Sequence, residues 1–338
     1  MATILITGGT GCIGAITTLK LLESQEVEKI IIASRSTNLG IMNFWFHGNL
    51  DPRIEFIKLD VGDAEAINKT LPQINPTHIV HLGAYQSPDC AAYHENGMQI
   101  NVGGTMALFD AAEKLPNLKK FVFASSAAVY GMRAMYPEDI IYEDARLAPP
   151  NHYGIWKLAG EHLGRLFHNN TKIPTVCLRL NTTYGKGREQ GKTSAPTNAM
   201  KAVALGSVRG ELIPFQMPYT GRENYHFVED VGAHFAACTL QEFDGFGAFN
   251  IKGETIAIDN FLNIVKEEAE KLGIGEFVDL SIVENADPNL FISDLSHEKI
   301  DGTFHELPRT EIPAGVAKSL REFIEMAKAG TLYYPETS

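Results

Sequence analysis

The sequence predicts an α/β protein built on a doubly wound parallel sheet, with a smaller and mostly C-terminal lobe. Three observations lead there. A glycine-rich turn joins the first apolar run to a helical pattern within fifteen residues of the start. Short apolar runs then alternate with amphipathic stretches for half the chain. After about residue 182 that rhythm gives way to segments rich in Gly, Pro, Lys and Arg.

The first strand is expected at Ile4–Ile6, a helix at Ala15–Glu23 and the next strand at Lys29–Ala33. Further strands are expected at 54–61, 78–84, 119–126 and 174–180, separated by helical patterns at 63–71, 99–115 and 152–168. Near-continuous apolar strands alternating with helices mean a parallel sheet covered on both faces. Right-handed crossovers make that sheet doubly wound. Farther on, 195–205 and 226–243 read as helices, 247–253 as a strand, 259–272 as an amphipathic helix and 313–329 as a last helix. The boundaries expected are 1–182 plus 226–254 for the larger domain and 183–225 plus 255–338 for the lobe.

Bulk properties narrow the function. With 338 residues, 44% of them hydrophobic and 21% charged, the chain can bury one large core or two unequal ones. A formal net charge of −12 gives no global attraction to phosphate backbones or anionic lipid. Nucleic acid and membranes are therefore not expected as partners. Cys12, Cys90, Cys177 and Cys238 are scattered without a C-x-x-C pair, as reduced thiols of a cytoplasmic protein would be. No apolar run reaches the ~20 residues of a membrane span, and no basic leader precedes the first strand. The eleven histidines show no metal-ligand spacing, so no metal is expected.

The turn "TGGTGCIG" places Gly8, Gly11 and Gly14 between strand and helix. Glycines allow a tight turn and close approach of the backbone to a pyrophosphate, and the helix start aims N–H groups at that anion. Cys12 and Ile13 lie in the same turn. A dinucleotide is the expected ligand. The second strand ends in Ser34, Arg35 and Ser36, where NAD-binding loops usually carry an acid. A guanidinium between hydroxyls suits a 2′-phosphate, which favours NADP with NAD as the alternative; Arg35 as a solvated surface residue is the other reading.

"NHYGIWKLAGE" sets Tyr153 and Lys157 four residues apart, on one helix face. A phenol titrates near 10 in isolation, and a neighbouring ammonium lowers that toward working pH. Upstream, "SSAAVYG" (125–131) ends a strand with hydroxyls that can meet a substrate oxygen.

These segments resemble the extended short-chain dehydrogenase/reductase superfamily, in its NAD(P)-dependent epimerase/dehydratase family. The resemblance covers nearly the whole chain, through "TGGTGCIG", "LDVGD" (59–63), "HLGA" (81–84), "NVGGT" (101–105), "SSAAVYG", "YGIWK", "LRLNTTYG" (178–185) and "YHFVEDVG" (225–232). It implies a Rossmann-type fold. It also implies Tyr153 as acid/base, Lys157 binding the nicotinamide ribose and tuning Tyr153, and Ser126 bonding the reacting oxygen. Asp60 and Val61 would meet the adenine, and Gly83 and Ala84 would line the dinucleotide. Asn101 would support the site from its helix, or simply start that helix. Arg222 stands where the family often holds an anionic or polyol group, a surface ion pair being the alternative.

Two departures matter. Where dehydratases of the family carry acidic residues after the catalytic hydroxyl, this chain has Ala127 and Ala128. Alanine transfers no proton, which disfavours water elimination by that route. Thr182 and Thr183 stand where many sugar-nucleotide enzymes have Asn, with Asn181 one place early. The expected function is thus an NAD(P)-dependent oxidoreductase or epimerase. It would move a hydride at a secondary alcohol or ketone of a small, carbohydrate-like substrate, which Thr182 and Arg222 would help to hold. A nucleotide-sugar 4-epimerase and a non-catalytic NADP-binding regulator are the alternatives. A homodimer through the helices at 99–115 and 152–168 is expected from the resemblance and from the prevalence of two-fold dimers.

Overall fold

The computed structural model describes the chain apart from Thr37, Gln190, Leu290, Phe291, residues 336–338 and the side chain of Lys192. The early strands are β1 (Ala2–Thr7), β2 (Val27–Ser34), β3 (Ile54–Lys58), β4 (His78–His81), β5 (Lys120–Ser126) and β6 (Thr175–Leu180). There follow β7 (Thr182–Tyr184), β8 (Phe215–Met217), β9 (Arg222–Phe227), β10 (Phe246–Asn250), β11 (Glu254–Ala257) and β12 (Leu280–Ile282).

Two compact units share these strands. The larger comprises Met1–Leu180, Glu229–Lys252 and Ser296–Pro308. Its sheet is seven-stranded and wholly parallel, in the order β10-β6-β5-β4-β1-β2-β3. This is a Rossmann-like α/β fold. The apolar runs explain it: Ile4, Leu5, Ile6, Ile30, Ile32, Ile79, Val80, Phe121 and Val122 are all but inaccessible, as both faces of a parallel sheet require. On one face Phe109 packs its ring 4.3 Å from that of Phe121 and 5.1 Å from that of Phe167. This pins the helices Thr105–Ala112 and His152–Thr171 to β5. Chain order reverses between β1 and β4, and such a switch point opens a crevice at the carboxyl ends of the strands.

The smaller unit comprises Asn181–Val228, Gly253–Leu295 and Arg309–Ser338. It holds a three-stranded sheet, β11-β9-β7, and the pair β12-β8. Helices Ala195–Arg209, Ile258–Lys271 and Ile312–Lys328 pack on them. Tyr225 stacks on Phe261 with ring centroids 4.5 Å apart, and Tyr184 meets both rings edge-on.

The structure corrects several expectations. Residues 296–308 belong to the larger unit rather than the lobe, because Ser296 O accepts from Asn250 Nδ2 at 3.0 Å and Lys299 Nζ donates to Ala248 O at 2.9 Å. Conversely, 181–182 and 226–228 pack with the smaller unit. The stretch expected as a helix over 226–243 opens as the end of strand β9 and turns helical at Val228. The helix expected over 99–115 opens as a π-helix at Gln99–Gly104 before regular α-geometry at Thr105. Short strands such as β7 and β9 were hidden by their polar residues, several of which are buried.

Candidate active site

Every residue expected to touch a dinucleotide or the reacting atoms in the larger unit sits at one edge of its sheet, the carboxyl ends of adjacent strands. Gly8 follows β1, Ser34 ends β2, Asp60 follows β3, Gly83 follows β4 and Ser126 ends β5.

The glycines there are sterically required. Gly8 adopts φ +69°, and a Cβ on it would lie 2.8 Å from Gly83 Cα. β1 and β4 thus meet backbone to backbone at the switch point. A Cβ on Gly14 would lie 2.4 Å from Gly9 Cα, so the helix Cys12–Leu22 starts directly on the turn. A Cβ on Gly11 would have a single neighbour, Gly8 O at 3.3 Å, which leaves an open concavity at the helix start. Cys12 and Ile13 supply the first-turn amides, which have no acceptors within the helix. That donor set and cradle fit a pyrophosphate. Thr10 Oγ1 and Ser34 Oγ lie 2.8 Å apart, tying the turn to β2. Arg35 is exposed, with its guanidinium 5.3 Å from the centre of the Tyr85 ring. Ser36 caps Asn38 N–H, and Asp60 accepts from Gly62 N–H at 2.9 Å.

A hydrogen-bonded chain runs behind this edge. Gly83 N–H points to Thr7 Oγ1, which lies 2.7 Å from His81 Nδ1. His81 Nε2 lies 2.9 Å from Thr105 Oγ1, and Thr105 donates to Asn101 O at 2.8 Å. Burial pushes the His81 pKa down to about 3, so the ring is neutral. Thr105 spends its proton on Asn101, so His81 carries its own on Nε2 and accepts from Thr7 at Nδ1. The Asn101 side chain accepts from Tyr85 N–H at 2.7 Å and donates to Tyr85 O at 3.0 Å. Asn101 therefore fixes the segment after Gly83 and Ala84. The π-helix beneath it comes so close to the β3 end that a Cβ on Gly104 would lie 2.2 Å from Val61 O.

Ser126, Tyr153 and Lys157 are brought to the end of β5. Asn151 caps its helix by accepting from Gly154 N–H at 2.9 Å. A Cβ on Gly154 would lie 2.0 Å from Ala128 O, so the Tyr153 turn lies against the Ser126–Ala128 backbone. Lys157 is buried, donates to Ala124 O at 2.6 Å and holds Nζ 5.7 Å from the Tyr153 ring centre. Burial lowers its pKa to about 8, against a smaller upward pull from Cys90 and Cys177. Ser126 Oγ accepts from Ala128 N–H at 3.1 Å and reaches Leu180 O at 3.4 Å. Ala127 and Ala128 are buried and carry no titratable group.

The two remaining candidates lie in the smaller unit. Thr182 is fully buried with its hydroxyl on Glu223 Oε1 at 3.0 Å. Arg222 is 55% exposed and pairs with Asp294 at 3.0 Å. His226 is buried beside Gly253. The stretch 184–192 falls in part outside the described residues. Among those described, no three His, Cys, Asp or Glu side chains are grouped to hold a metal ion, and no helix is long and apolar enough to cross a membrane.

Reasoning from the sequence missed a buried charged cluster beneath Ser126. Arg179 forks onto Glu161 through Nε and Nη2, each at 2.8 Å, and its Nη1 donates to Tyr130 OH at 2.7 Å. The signal was present. An arginine inside "TVCLRL" must find a buried anion, and Glu161 follows Lys157 by one helical turn.

Comparison with known proteins agrees with this geometry. The model of the family described as "NAD dependent epimerase/dehydratase family" matches residues 4–251. The chain is 26% identical over 241 residues to a trifunctional UDP-glucose 4,6-dehydratase/UDP-4-keto-6-deoxy-D-glucose 3,5-epimerase/UDP-4-keto-L-rhamnose-reductase of Arabidopsis thaliana. That match covers 69% of this chain but only 34% of the longer plant protein. It is 23% identical to dTDP-glucose 4,6-dehydratase of Neisseria gonorrhoeae, over 95% of both chains. Among solved structures, the Thermus thermophilus UDP-glucose 4-epimerase complex with NAD superposes with a TM-score of 0.77 at 20% identity, covering 95% of this chain and 98% of that one. A match spanning the glycine turn, the β5 hydroxyls, the Tyr-Lys helix and the strand that closes the sheet leaves one assignment: the chain belongs to the NAD-dependent epimerase/dehydratase family.

Proposed function

We propose that this protein is a nicotinamide-dinucleotide enzyme that oxidises or reduces a secondary alcohol or ketone of a carbohydrate, with Tyr153 as the proton-transfer group. The observation that carries the reading is the buried Lys157 ammonium, fixed on Ala124 O and directed at the Tyr153 ring. A cation so placed favours phenolate and draws the tyrosine toward working pH. Lys157 also stands where the family's ribose-binding lysine does. Ser126, at the neighbouring strand end, offers its hydroxyl to the same substrate oxygen. The first-turn amides of the helix Cys12–Leu22 hold the pyrophosphate, and Asp60, Val61, Gly83 and Ala84 line the rest of the dinucleotide. When bound, the nicotinamide accepts and returns a hydride at the carbon that bears the oxygen.

A nucleoside-diphosphate sugar is the substrate class that the relatives support, and epimerisation at a ring carbinol is the favoured outcome. Ala127 and Ala128 leave no acid beside Ser126 to expel water, which sets this chain apart from the dehydratases among its relatives. Arg222, facing Asp294, offers a guanidinium to an anionic group; Thr182 supports the strand next to it. Arg35, with Ser34 and Ser36 and no carboxylate at the β2 tip, favours NADP over NAD. Met106, Ile155 and Leu166 are exposed on the helices Thr105–Ala112 and His152–Thr171, which supports a homodimer through those helices. The four free cysteines fit the reducing cytoplasm.

The test is a screen of UDP-glucose, UDP-galactose, dTDP-glucose and unlinked hexoses with NAD and with NADP. Nicotinamide absorbance and product configuration at C4 are both followed. Turnover of a nucleotide sugar with inversion at C4 is expected. Tight dinucleotide binding with no turnover across the panel would favour the regulator reading.

A further inference from the structure

We infer that the buried Glu161–Arg179 ion pair is a clamp that holds the Ser126 segment from both of its ends, making Ser125, Tyr130, Glu161 and Arg179 positioning residues for the site. The inference rests on the function proposed above.

The register of the sheet sets up the clamp. Ser125, Arg179 and Asn250 are direct partners across β5, β6 and β10. They form one row near the carboxyl edge, on the face covered by the helix His152–Thr171. Glu161 reaches this row from that helix, one turn past Lys157. Successive residues of β5 are therefore gripped by successive turns: Ala124 O by Lys157 at 2.6 Å and Ser125 Oγ by Glu161 Oε1 at 2.5 Å.

The opposite end is held through Arg179. Its Nη1 donates both to Tyr130 OH and, at 3.0 Å, to Glu143 O. Tyr130 OH donates in turn to Asn250 Oδ1 at 2.9 Å, and Glu143 Oε1 accepts from Asn250 N–H at 3.0 Å. Between the anchors Ser125 and Tyr130 lie Ser126 and the 3₁₀ turn Ala127–Val129, four residues with no longer-range fixing beyond Ser126 Oγ on Leu180 O. One ion pair thus governs where the reacting hydroxyl sits.

Stability alone is a poor reason to keep such a pair. A buried ion pair is often replaced by apolar residues at no loss, and the faces of β5 and β6 around it are otherwise apolar. Geometry is the better reason, since a displacement of about 1 Å at a reacting group costs on the order of 10²-fold in rate.

Ser125→Ala and Tyr130→Phe each remove one hydroxyl and leave the ion pair intact. Each is made alone and in a Ser126→Ala background. Steady-state turnover is measured with UDP-glucose or whichever sugar the screen identifies, alongside dinucleotide affinity and amide hydrogen exchange of residues 127–130. Each single change is expected to lower kcat about tenfold, with KM and dinucleotide affinity within about twofold, and to speed exchange at 127–130 about tenfold. In the Ser126→Ala background the further loss of kcat is expected to stay below about twofold. Equal losses in both backgrounds, or unchanged exchange at 127–130, would overturn the clamp. Wild-type turnover in Ser126→Ala alone, or no turnover by the wild type, would count against the proposed function instead. The exchange measurement then judges the clamp by itself.

Discussion

The carboxyl edge of the seven-stranded sheet and the candidate residues of the smaller unit are built on opposite plans. At the sheet edge each candidate group is placed by backbone: Gly8 against Gly83, Gly14 against Gly9, Gly154 against Ala128 O, Lys157 on Ala124 O. In the smaller unit the candidates are engaged by side chains, Thr182 by Glu223 and Arg222 by Asp294. Backbone placement survives most substitutions nearby, whereas a side-chain pair can be exchanged one residue at a time. The sheet edge therefore encodes chemistry common to a family, and the smaller unit encodes what distinguishes one substrate from another.

The largest effect that could break this contrast is at Tyr153. Tyr153→Phe keeps the ring and should lower kcat by ~10²–10⁴, the usual loss of a general acid/base, with dinucleotide affinity unchanged. Near-normal turnover would show the centre wrongly assigned.

Lys157 comes next, through stability. Its folded pKa, about 8, lies below the ordinary 10.5. Between those values the unfolded chain binds a proton that the folded chain does not, so stability rises with pH across the window. Below about pH 8 both states are charged and the full cost of burying the cation is present. The rise should reach about 3 kcal/mol and be missing from Lys157→Met. Urea midpoints measured from pH 7 to 10.5 would check it, and parallel curves for the two proteins would contradict it. Turnover should decline above about pH 8, as the ammonium that supports phenolate is lost.

Arg35→Asp should shift the ratio of NADP to NAD affinity at least tenfold toward NAD, as expected from losing one charge-assisted contact to a 2′-phosphate. A wild-type protein that binds NAD as tightly as NADP would defeat that reading.

The smallest effect is expected at Arg222. Its exposed pair with Asp294 contributes on the order of 0–1 kcal/mol, so Arg222→Ala should leave the melting temperature nearly unchanged while raising KM for a nucleotide sugar. An unchanged KM would remove Arg222 from the substrate site.

Legibility in the sequence follows the same division. The glycine turn, the Tyr-Lys spacing and the apolar strands could be read because local geometry demands those residue types wherever they occur. The strand β9, "RENYHF", could not. Its alternation mixes charge with aromatics, and Glu223, Asn224 and His226 are buried in spite of their polarity. Tertiary packing, not local propensity, made it a strand. The return of 296–308 to the larger unit depends on Asn250 and Ser296, partners 46 residues apart that no local pattern connects. The Glu161–Arg179 pair lies between these cases: the isolated arginine was visible, and its partner only in hindsight.

The π-helix at Gln99–Gly104 makes this part of the chain sensitive to length in a way that its composition does not suggest. A π-turn holds one residue more than the α-turn it interrupts. Removing Val102 would let the helix close in regular register with its hydrogen bonds intact. Each residue, however, advances an α-helix by about 100°. Thr105 would swing off His81 and lose Asn101 O, and the place against Val61 O that only a glycine fits would pass to a neighbour. The helix would fold while its frame slipped. Changes of chain length are therefore to be expected in the surface loops between units of secondary structure, and a deletion of one residue here should disable the dinucleotide edge as thoroughly as the loss of a glycine in the turn itself.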